Sequence, residues 1–258
     1  MNAVSVLDIA AVAVVSLAAG FVDSIAGGGG LISVPALFGL FPRADPVSLL
    51  GTNKAAVSWG TVWASATYLR RVHLSRRTLL AAGAAALVGG LLGAWLVTQV
   101  PSHGLRRAVP VILGLVLTMT LLRPDVGNIH APRFTAGGEA GAAAAISLGL
   151  GLYDGFFGPG TGTILVFLFA RVLGHDFLHA AAGARTVNAV TNLAALALFA
   201  TAGHVDWRLA LPMALANVAG SVLGSRLALK HGAGLIRRVF IAVVVALILK
   251  TGYDAYVG

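Results

Sequence analysis

Long blocks of Ala, Leu, Val and Gly run through this chain, interrupted by short clusters of glycine, proline and charge. Stretches such as Leu79 to Val100, Ala108 to Leu122, Leu209 to Leu229 and Val239 to Lys250 with its flanks approach the ~20 residues that cross ~30 Å of hydrocarbon. They lack the ~10-residue alternation of a membrane barrel, so the predicted elements are helices and the fold class is all-α, a polytopic helical membrane protein. Together with the breakers, the pattern gives segments over 3–22, 28–42, 47–69, 79–99 and 106–122, then 136–153, 159–173, 178–200, 209–229 and 236–254. The second and seventh are short. They open at glycine-rich breaks, GGGG at Gly27 to Gly30 and GPGTG at Gly158 to Gly162, where helix propensity falls by up to ~1 kcal/mol per glycine. A discontinuous helix or helical hairpin is expected at each.

The two sets of five segments are copies. GFVDSIAGGGG (Gly20 to Gly30) and GLYDGFFGPGT (Gly151 to Thr161) lie 131 residues apart. The same gapless shift pairs Asp23 with Asp154, Lys54 with Arg185, His73 with His204, Gly89 and Gly93 with Gly220 and Gly224, and Arg106-Arg107 with Arg237-Arg238. Two repeats are therefore expected, over 1–127 and 132–258, forming one integrated transmembrane unit. Charge orients them. With Lys54 and Arg185 set aside as intramembrane, the other 16 basic residues fall eleven to one face and five to the other if the short segments span, but eight and eight if they re-enter. Only the first distribution carries a positive-inside signal, so the expectation is five plus five, with inverted halves and both termini outside.

Composition agrees with a bilayer setting: 58% of residues are hydrophobic, 10% are charged and the mean hydropathy is +0.89. The formal charge of +9 comes from basic clusters between apolar runs, which suits positive-inside loops better than nucleic-acid binding. There is no cysteine, which excludes disulfides, thiol chemistry and thiolate metal sites. The N-terminal run carries Asp8 and no Lys or Arg, so it is expected to be a structural helix and not a cleaved leader. GGGG lacks the GK[ST] ending of a P-loop and GPGTG does not fit GxGxxG, so no nucleotide site is expected. No cofactor and no metal are called for. Without HExxH, paired catalytic carboxylates or a mid-membrane His beside a Ser nucleophile, the pattern argues against an enzyme.

Four ionisable residues interrupt apolar stretches: Asp23, Lys54, Asp154 and Arg185. Each costs ~2.5–3.5 kcal/mol or more at the centre of a lone helix, so each needs a partner or a wet cavity. The plainest reading is two ion pairs within the halves, Asp23 with Lys54 and Asp154 with Arg185, that merely brace the fold. A functional reading rests on the recurrence of both charge types beside a backbone break, which is tolerated only in a cavity or protein interior. A half-helix opened there presents free N–H groups and the positive end of a dipole to an anion, at Gly28, Gly29 and Gly30 and again at Gly158, Gly160 and Thr161. Polar residues accompany each cation: Thr52, Asn53, Ser58 and Thr61 with Lys54, and Thr186, Asn188, Thr191 and Asn192 with Arg185. Ser58 and Thr61 at i+4 and i+7, and Asn188 and Asn192 at i+3 and i+7, share their cation's helix face.

The candidate substrate site is therefore Lys54, Arg185, Thr52, Asn53, Asn188 and Asn192 with the six backbone positions at the breaks. Asp23 and Asp154 serve as ion-pair or coupling groups. The set suits a small oxyanion, such as sulfonate, sulfite, carboxylate or phosphate. A secondary transporter working by alternating access at a midplane site is the first expectation. An anion-selective channel, with the cation pair as a selectivity ring, is the alternative. An intramembrane enzyme has less support. Coupling to a proton or another ion, and assembly into a homo-oligomer, are compatible with the pattern. The GxxxG pairs Gly89/Gly93 and Gly220/Gly224 point to close helix packing. Trp59 and Trp63, beside Lys54, fit either a cavity wall or the interface placement usual for membrane tryptophans.

Over GFVDSIAGGGGLISVPAL with GTNKAAVSWGT (Gly51 to Thr61), and again over GLYDGFFGPGTG with GARTVNAVTN (Gly183 to Asn192), the chain resembles the sulfite exporter TauE/SafE family of membrane permeases. The resemblance spans both halves. It implies a multi-pass transporter of the inner (plasma) membrane for small anions, typically sulfur-containing ones such as sulfite, sulfonates or sulfoacetate, without an ATPase of its own. The matching signature positions are Gly27 to Gly30, Thr52, Asn53 and Lys54, then Gly158, Pro159, Gly160 and Arg185. Two departures stand out: Pro159 and Thr161 replace glycines frequent in the family, and Arg185 stands where Lys is common. A planar guanidinium fork is not equivalent to an ammonium.

Overall fold

The computed structural model describes residues 5–121, 131, 133–231 and 253; the segment predicted over 236–254 lies, but for Tyr253, outside the described residues. Helices occupy almost all of the rest: α1 (Val6–Ala26), α2 (Gly30–Leu40), α3 (Pro46–Leu69), α4 (Arg76–Thr98), α5 (Ser102–Leu121), α6 (Ala136–Phe156), α7 (Thr161–Leu168, continued by a π turn over Phe169–Leu173), α8 (Phe177–Thr201) and α9 (Trp207–His231). The all-helical expectation holds. The ends are set by local chemistry: Ser5 and Asp8 close a capping box on α1, Asp45 caps α3 with Pro46 at its first turn, and Asp176 caps α8.

Two of the boundaries that differ from the hydropathy reading bear on the candidate site. α1 and α6 continue past residues 22 and 153, so Asp23 and Asp154 lie on the last turns of helices. An acidic residue reads as a helix end in a hydropathy profile, yet here each carboxylate finds a cation, and the chain turns only at positive-φ glycines. Gly27 and Gly28 have φ of 78° and 94°, and Gly158 and Gly160 have φ of 100° and 82°, conformations an L side chain resists.

The most extensive contacts join α1 to α9 and α4 to α6, with α3 and α8 between them. Both outer seams are built on small residues. On α9, Cβ atoms at Gly220 and Gly224 would overlap the Leu17 and Phe21 carbonyls; on α4, Cβ atoms at Gly89 and Gly93 would overlap the Leu148 and Leu152 carbonyls. The GxxxG pairs thus bring backbones together, as their spacing predicts. Along each seam the contacts advance in the same direction, so α1 runs parallel to α9 and α4 parallel to α6. In contrast, Lys54 meets Asn192 while Ser65 meets Thr186, so α3 and α8 are antiparallel.

The starts of α1, α3, α5 and α9 gather at one end. Asp8, Leu40, Asp45, Asp206 and Arg208 rim one open cavity there, and Ser102 donates to Asp45 at 2.8 Å. At the opposite end α4, α6 and α8 begin, where Glu139 accepts from Thr78 and lies 3.4 Å from His175. α2 leads back from the Gly27–Gly29 break to the end where α1 starts.

Polarity is inverted relative to a water-soluble protein. Ser16, Asn53, Lys54, Thr61, Arg185, Asn188, Asn192 and Asn217 are buried, while Leu80, Trp95, Leu115, Leu215 and Leu223 are exposed. An apolar outer surface with polar residues drawn into the packed interior is what hydrocarbon solvent selects. α1 and α4 are each long and apolar enough to cross a membrane on composition alone. Trp59 is 52% and Trp63 44% exposed, so both face outward and neither walls the interior.

Candidate functional site

The two glycine breaks meet at the centre of the molecule. A Cβ at Gly27 would come within 2.5 Å of the Thr163 backbone nitrogen, and one at Gly30 would come 3.0 Å from the Pro159 Cα, so the turn leading into α2 lies against the turn leading into α7. Beside this crossing is a small polar cavity of about 30 Å³, room for about two waters. Its walls come from α1 (Ala19, Asp23), the first break (Gly28, Gly29, Gly30), α3 (Asn53, Lys54, Val57, Thr61), α6 (Asp154), the second break (Gly158, Gly160, Gly162), α8 (Asn188, Asn192) and α9 (Asn217).

The ion pairs are crossed. Lys54 pairs with Asp154 at 3.1 Å and Arg185 with Asp23 at 3.8 Å. The within-half pairing expected from the sequence is thereby corrected: each cation is neutralised by the acid 131 positions from its sequence neighbour, because α3 packs beside α8 and the breaks interlock. The two pairs are bonded very differently. Lys54 Nζ also donates to Asn192 Oδ1 at 2.7 Å, and the Asp154 carboxylate accepts from the Thr191 hydroxyl as well. Asn192 is in turn held near Asn188 Oδ1, 3.4 Å away.

Arg185 is fully buried, at 0% exposure, and none of its three guanidinium nitrogens has a hydrogen-bond partner among the described residues. Asp23 is 15% exposed and accepts at Oδ1 from the Gly29 N–H at the start of α2. Arg185 does not itself line the cavity. It lies behind Asp23 and Gly162, and a Cβ added at Gly162 would come 3.0 Å from its Nη1.

Of the residues singled out from the sequence, Lys54, Asn53, Asn188, Asn192, Gly28, Gly29, Gly30, Gly158, Gly160, Asp23 and Asp154 come together at this cavity. Thr52 does not. Its hydroxyl donates to the Ser48 carbonyl and accepts from the Asp206 N–H, tying α3 to the α8–α9 turn. Thr161 is buried with its hydroxyl on the Gly158 carbonyl, stabilising the break. Sequence reasoning missed Asn217, whose amide donates to the Ser16 carbonyl and lines the cavity, and Tyr153, whose hydroxyl anchors the Pro159 carbonyl at 2.7 Å. A lone amide inside the apolar run Leu209 to Leu229 was the available signal for Asn217, but the repeat hides it, since position 86 is an alanine.

A larger open cavity of about 980 Å³ lies at the end where α1 starts, lined by Asp8, Phe41, Arg43, Asp45, Asp206 and Arg208 among others. Ser48 faces this outer cavity and Asn53 the inner one. Between them sit the Thr52 bond to Asp206 and Gly51, where a Cβ would overlap the His204 carbonyl.

The family described as sulfite exporter TauE/SafE matches residues 12–251. A "probable membrane transporter protein ORF9" of Sinorhizobium sp is 34% identical over 238 residues, covering 92% of this chain and 89% of the relative. "Probable membrane transporter protein YfcA" of Escherichia coli K12 is 34% identical over 242 residues, covering 94% and 88%. A "probable membrane transporter protein" of Haemophilus influenzae is 32% identical over 240 residues, covering 93% and 92%. No solved structure gives a significant match. The chain belongs to the sulfite exporter TauE/SafE family, a family of membrane transporters and not of enzymes.

Proposed function

We propose that this member of the TauE/SafE family is a secondary transporter that carries one small oxyanion at a time, by alternating access, across the inner (plasma) membrane. The observation that carries the reading is the pair of crossed ion pairs around a small polar cavity where two half-helices begin. Cations, amides and helix N-termini converge there in the way that discontinuous-helix transporters bind anions near the midplane. Lys54, Arg185, Asn53, Asn188 and Asn192, with the backbone of Gly28–Gly30 and Gly158–Thr161, form the binding machinery. Thr52 acts at one remove, closing the passage to the outer cavity.

Two repeats, 1–127 and 132–258, inverted relative to one another, supply the moving parts. Supporting this, α1, α3 and α9 start at one end while α6, α8 and α4 start at the other, so helices matched by the 131 shift run in opposite directions. The glycine seams recur under the same shift: Leu17 and Phe21 of α1, which meet the α9 glycines, correspond to Leu148 and Leu152 of α6, which meet the α4 glycines. A sulfur oxyanion is the favoured class because the family takes its description from sulfite export.

The test is flux in proteoliposomes with sulfite, sulfonates, sulfoacetate, thiosulfate and small carboxylates across pH. One anion should saturate and show counterflow, and Lys54→Ala and Arg185→Ala should each abolish its flux while the protein still folds. Retained flux in either variant removes that residue from the site. Voltage-linear flux without saturation or counterflow would instead establish a channel.

A further inference from the structure

Two cations and two carboxylates meet at the cavity, so the described charges there sum to zero before any substrate arrives. An incoming anion makes that buried site negative unless something compensates. The bonding pattern identifies what compensates. Asp154 accepts from both Lys54 and Thr191, and losing its charge would strand Lys54. Among the described residues Asp23 holds Arg185 at 3.8 Å without a hydrogen bond and keeps only the Gly29 N–H on Oδ1, and it faces the cavity while Arg185 lies behind it. A planar guanidinium with no acceptor in place is suited to a bidentate oxyanion, and Asp23 occupies the approach to it.

Resting on the anion-transporter reading, we propose that Asp23 is the resident competitor of the transported anion and its coupling-proton carrier. A proton from the aqueous side forms an O–H bond on the Asp23 carboxylate, the neutral acid leaves Arg185, and the oxyanion takes its place on the guanidinium. Release reverses each step. One anion and one proton then move in the same direction, and a monoanion crosses without net charge. Four groups face Asp23 and tune this exchange: Arg185 from α8, Lys54 and Tyr68 from α3, and Asp154 from α6 across the cavity. α2 and α7 bring no titratable side chain, and α9 brings the amide of Asn217.

The experiment uses the full chain in nanodiscs, with methanesulfonate, which stays singly charged, as the probe and sulfite in parallel. Binding affinity and proton uptake are measured from pH 5 to 8. Wild type should take up about one proton per methanesulfonate, with Kd weakening about tenfold per pH unit once Asp23 is ionised. Asp23→Asn should bind with a Kd that no longer follows pH, tighter than wild type at pH 8, and take up no proton. A pH-independent wild-type Kd, which requires no variant to fold, overturns the proposal, as does proton uptake retained by Asp23→Asn; in both cases the transporter reading stands. Failure of both probes to bind wild type at any pH overturns the oxyanion site and the proposed function with it.

Discussion

Replacing each buried cation by methionine, which approaches its length and carries no charge, separates the two ion pairs energetically. At an effective dielectric of about 20 the attraction is about 5 kcal/mol at the 3.1 Å of Lys54–Asp154 and about 4 kcal/mol at the 3.8 Å of Arg185–Asp23. Distance alone therefore hardly distinguishes them. Hydrogen bonding does. Lys54→Met removes the donor to Asn192 and leaves Asp154 buried against Thr191 alone, and breaking such a pair costs about 3–5 kcal/mol. Arg185→Met forfeits a similar attraction but removes three buried nitrogens that have no acceptor among the described residues, each of which costs about 1–3 kcal/mol. Three such nitrogens give a relief of about 3–9 kcal/mol against the roughly 4 kcal/mol of attraction lost, so the substitution ranges from about 1 kcal/mol destabilising to net stabilising. At about 2–4 °C per kcal/mol for a chain of this size, Lys54→Met should melt roughly 6–20 °C below wild type and Arg185→Met no more than about 4 °C below it. Thermal melting in nanodiscs, followed by tryptophan fluorescence, reads this directly, and both variants should lose flux. Should Arg185→Met melt as low as Lys54→Met, the guanidinium is satisfied in the native state and the reasoning from its unpaired donors is wrong.

Three further predictions concern packing, pH and topology. Gly93→Ala should cost about 1–3 kcal/mol, because its Cβ meets the Leu152 carbonyl and the Phe156 nitrogen on a backbone that cannot swing aside, whereas Gly83→Ala meets nothing and should be neutral or slightly stabilising; equal melting temperatures would contradict the seam. Asp45, outside the spans, is pushed up by partial burial, but the Ser102 and Ser48 hydroxyls, the Ser48 N–H and nearby His204 hold it on balance below the usual carboxylate range. A depressed folded pKa contributes stability that is full above the unfolded value near ~4 and is lost as pH falls through the folded one, so the melting advantage of wild type over Asp45→Asn should shrink below about pH 4 and not at neutral pH. Because the chain has no cysteine, single cysteines at His73 and His204 can be labelled cleanly with an impermeant maleimide; inverted halves put them on opposite faces, and labelling of both from one side refutes the inversion.

Much of the candidate site was legible because the 131 offset marks its chemistry twice: an acid before each break and a cation on the second helix after it, α3 or α8. What the offset could not convey is which acid faces which cation, since that depends on α3 lying beside α8 and on the interlocked breaks, both tertiary facts. Helical phase recovers more than hydropathy does. At 100° per residue Trp63 falls opposite Lys54 on α3, while Ser58, Thr61 and Ser65 fall near it, and burial divides those residues in the same way. Thr52 shows the limit of motif reading: it sits in the signature beside Lys54, yet its hydroxyl serves the α8–α9 turn. Asn217 shows the limit of repeat reading, because a residue present in only one copy leaves no echo.

The duplicated cations differ in type where their surroundings differ in acceptors, and this gives the Lys-to-Arg departure a physical reason. A compact ammonium carries three donors, and at Lys54 two of them find the Asp154 carboxylate and the Asn192 amide oxygen at close range. A guanidinium presents five donors in a rigid plane, and at position 185 that plane meets Gly162, which contributes no side chain, and an acid too distant to bond. Of the two cations that the 131 offset pairs, one is therefore bonded on two sides and the other open. Exchanging them should not be conservative in either direction. Lys54→Arg puts a longer, planar group where a compact ammonium already bonds Asp154 and Asn192, while Arg185→Lys replaces a two-point fork by a single charge that Asp23 can satisfy, which weakens the hold on a trigonal or tetrahedral oxyanion more than on a singly bonding ion such as chloride. A ratio of sulfonate to chloride affinity that is unchanged in Arg185→Lys would show that the fork itself does not select.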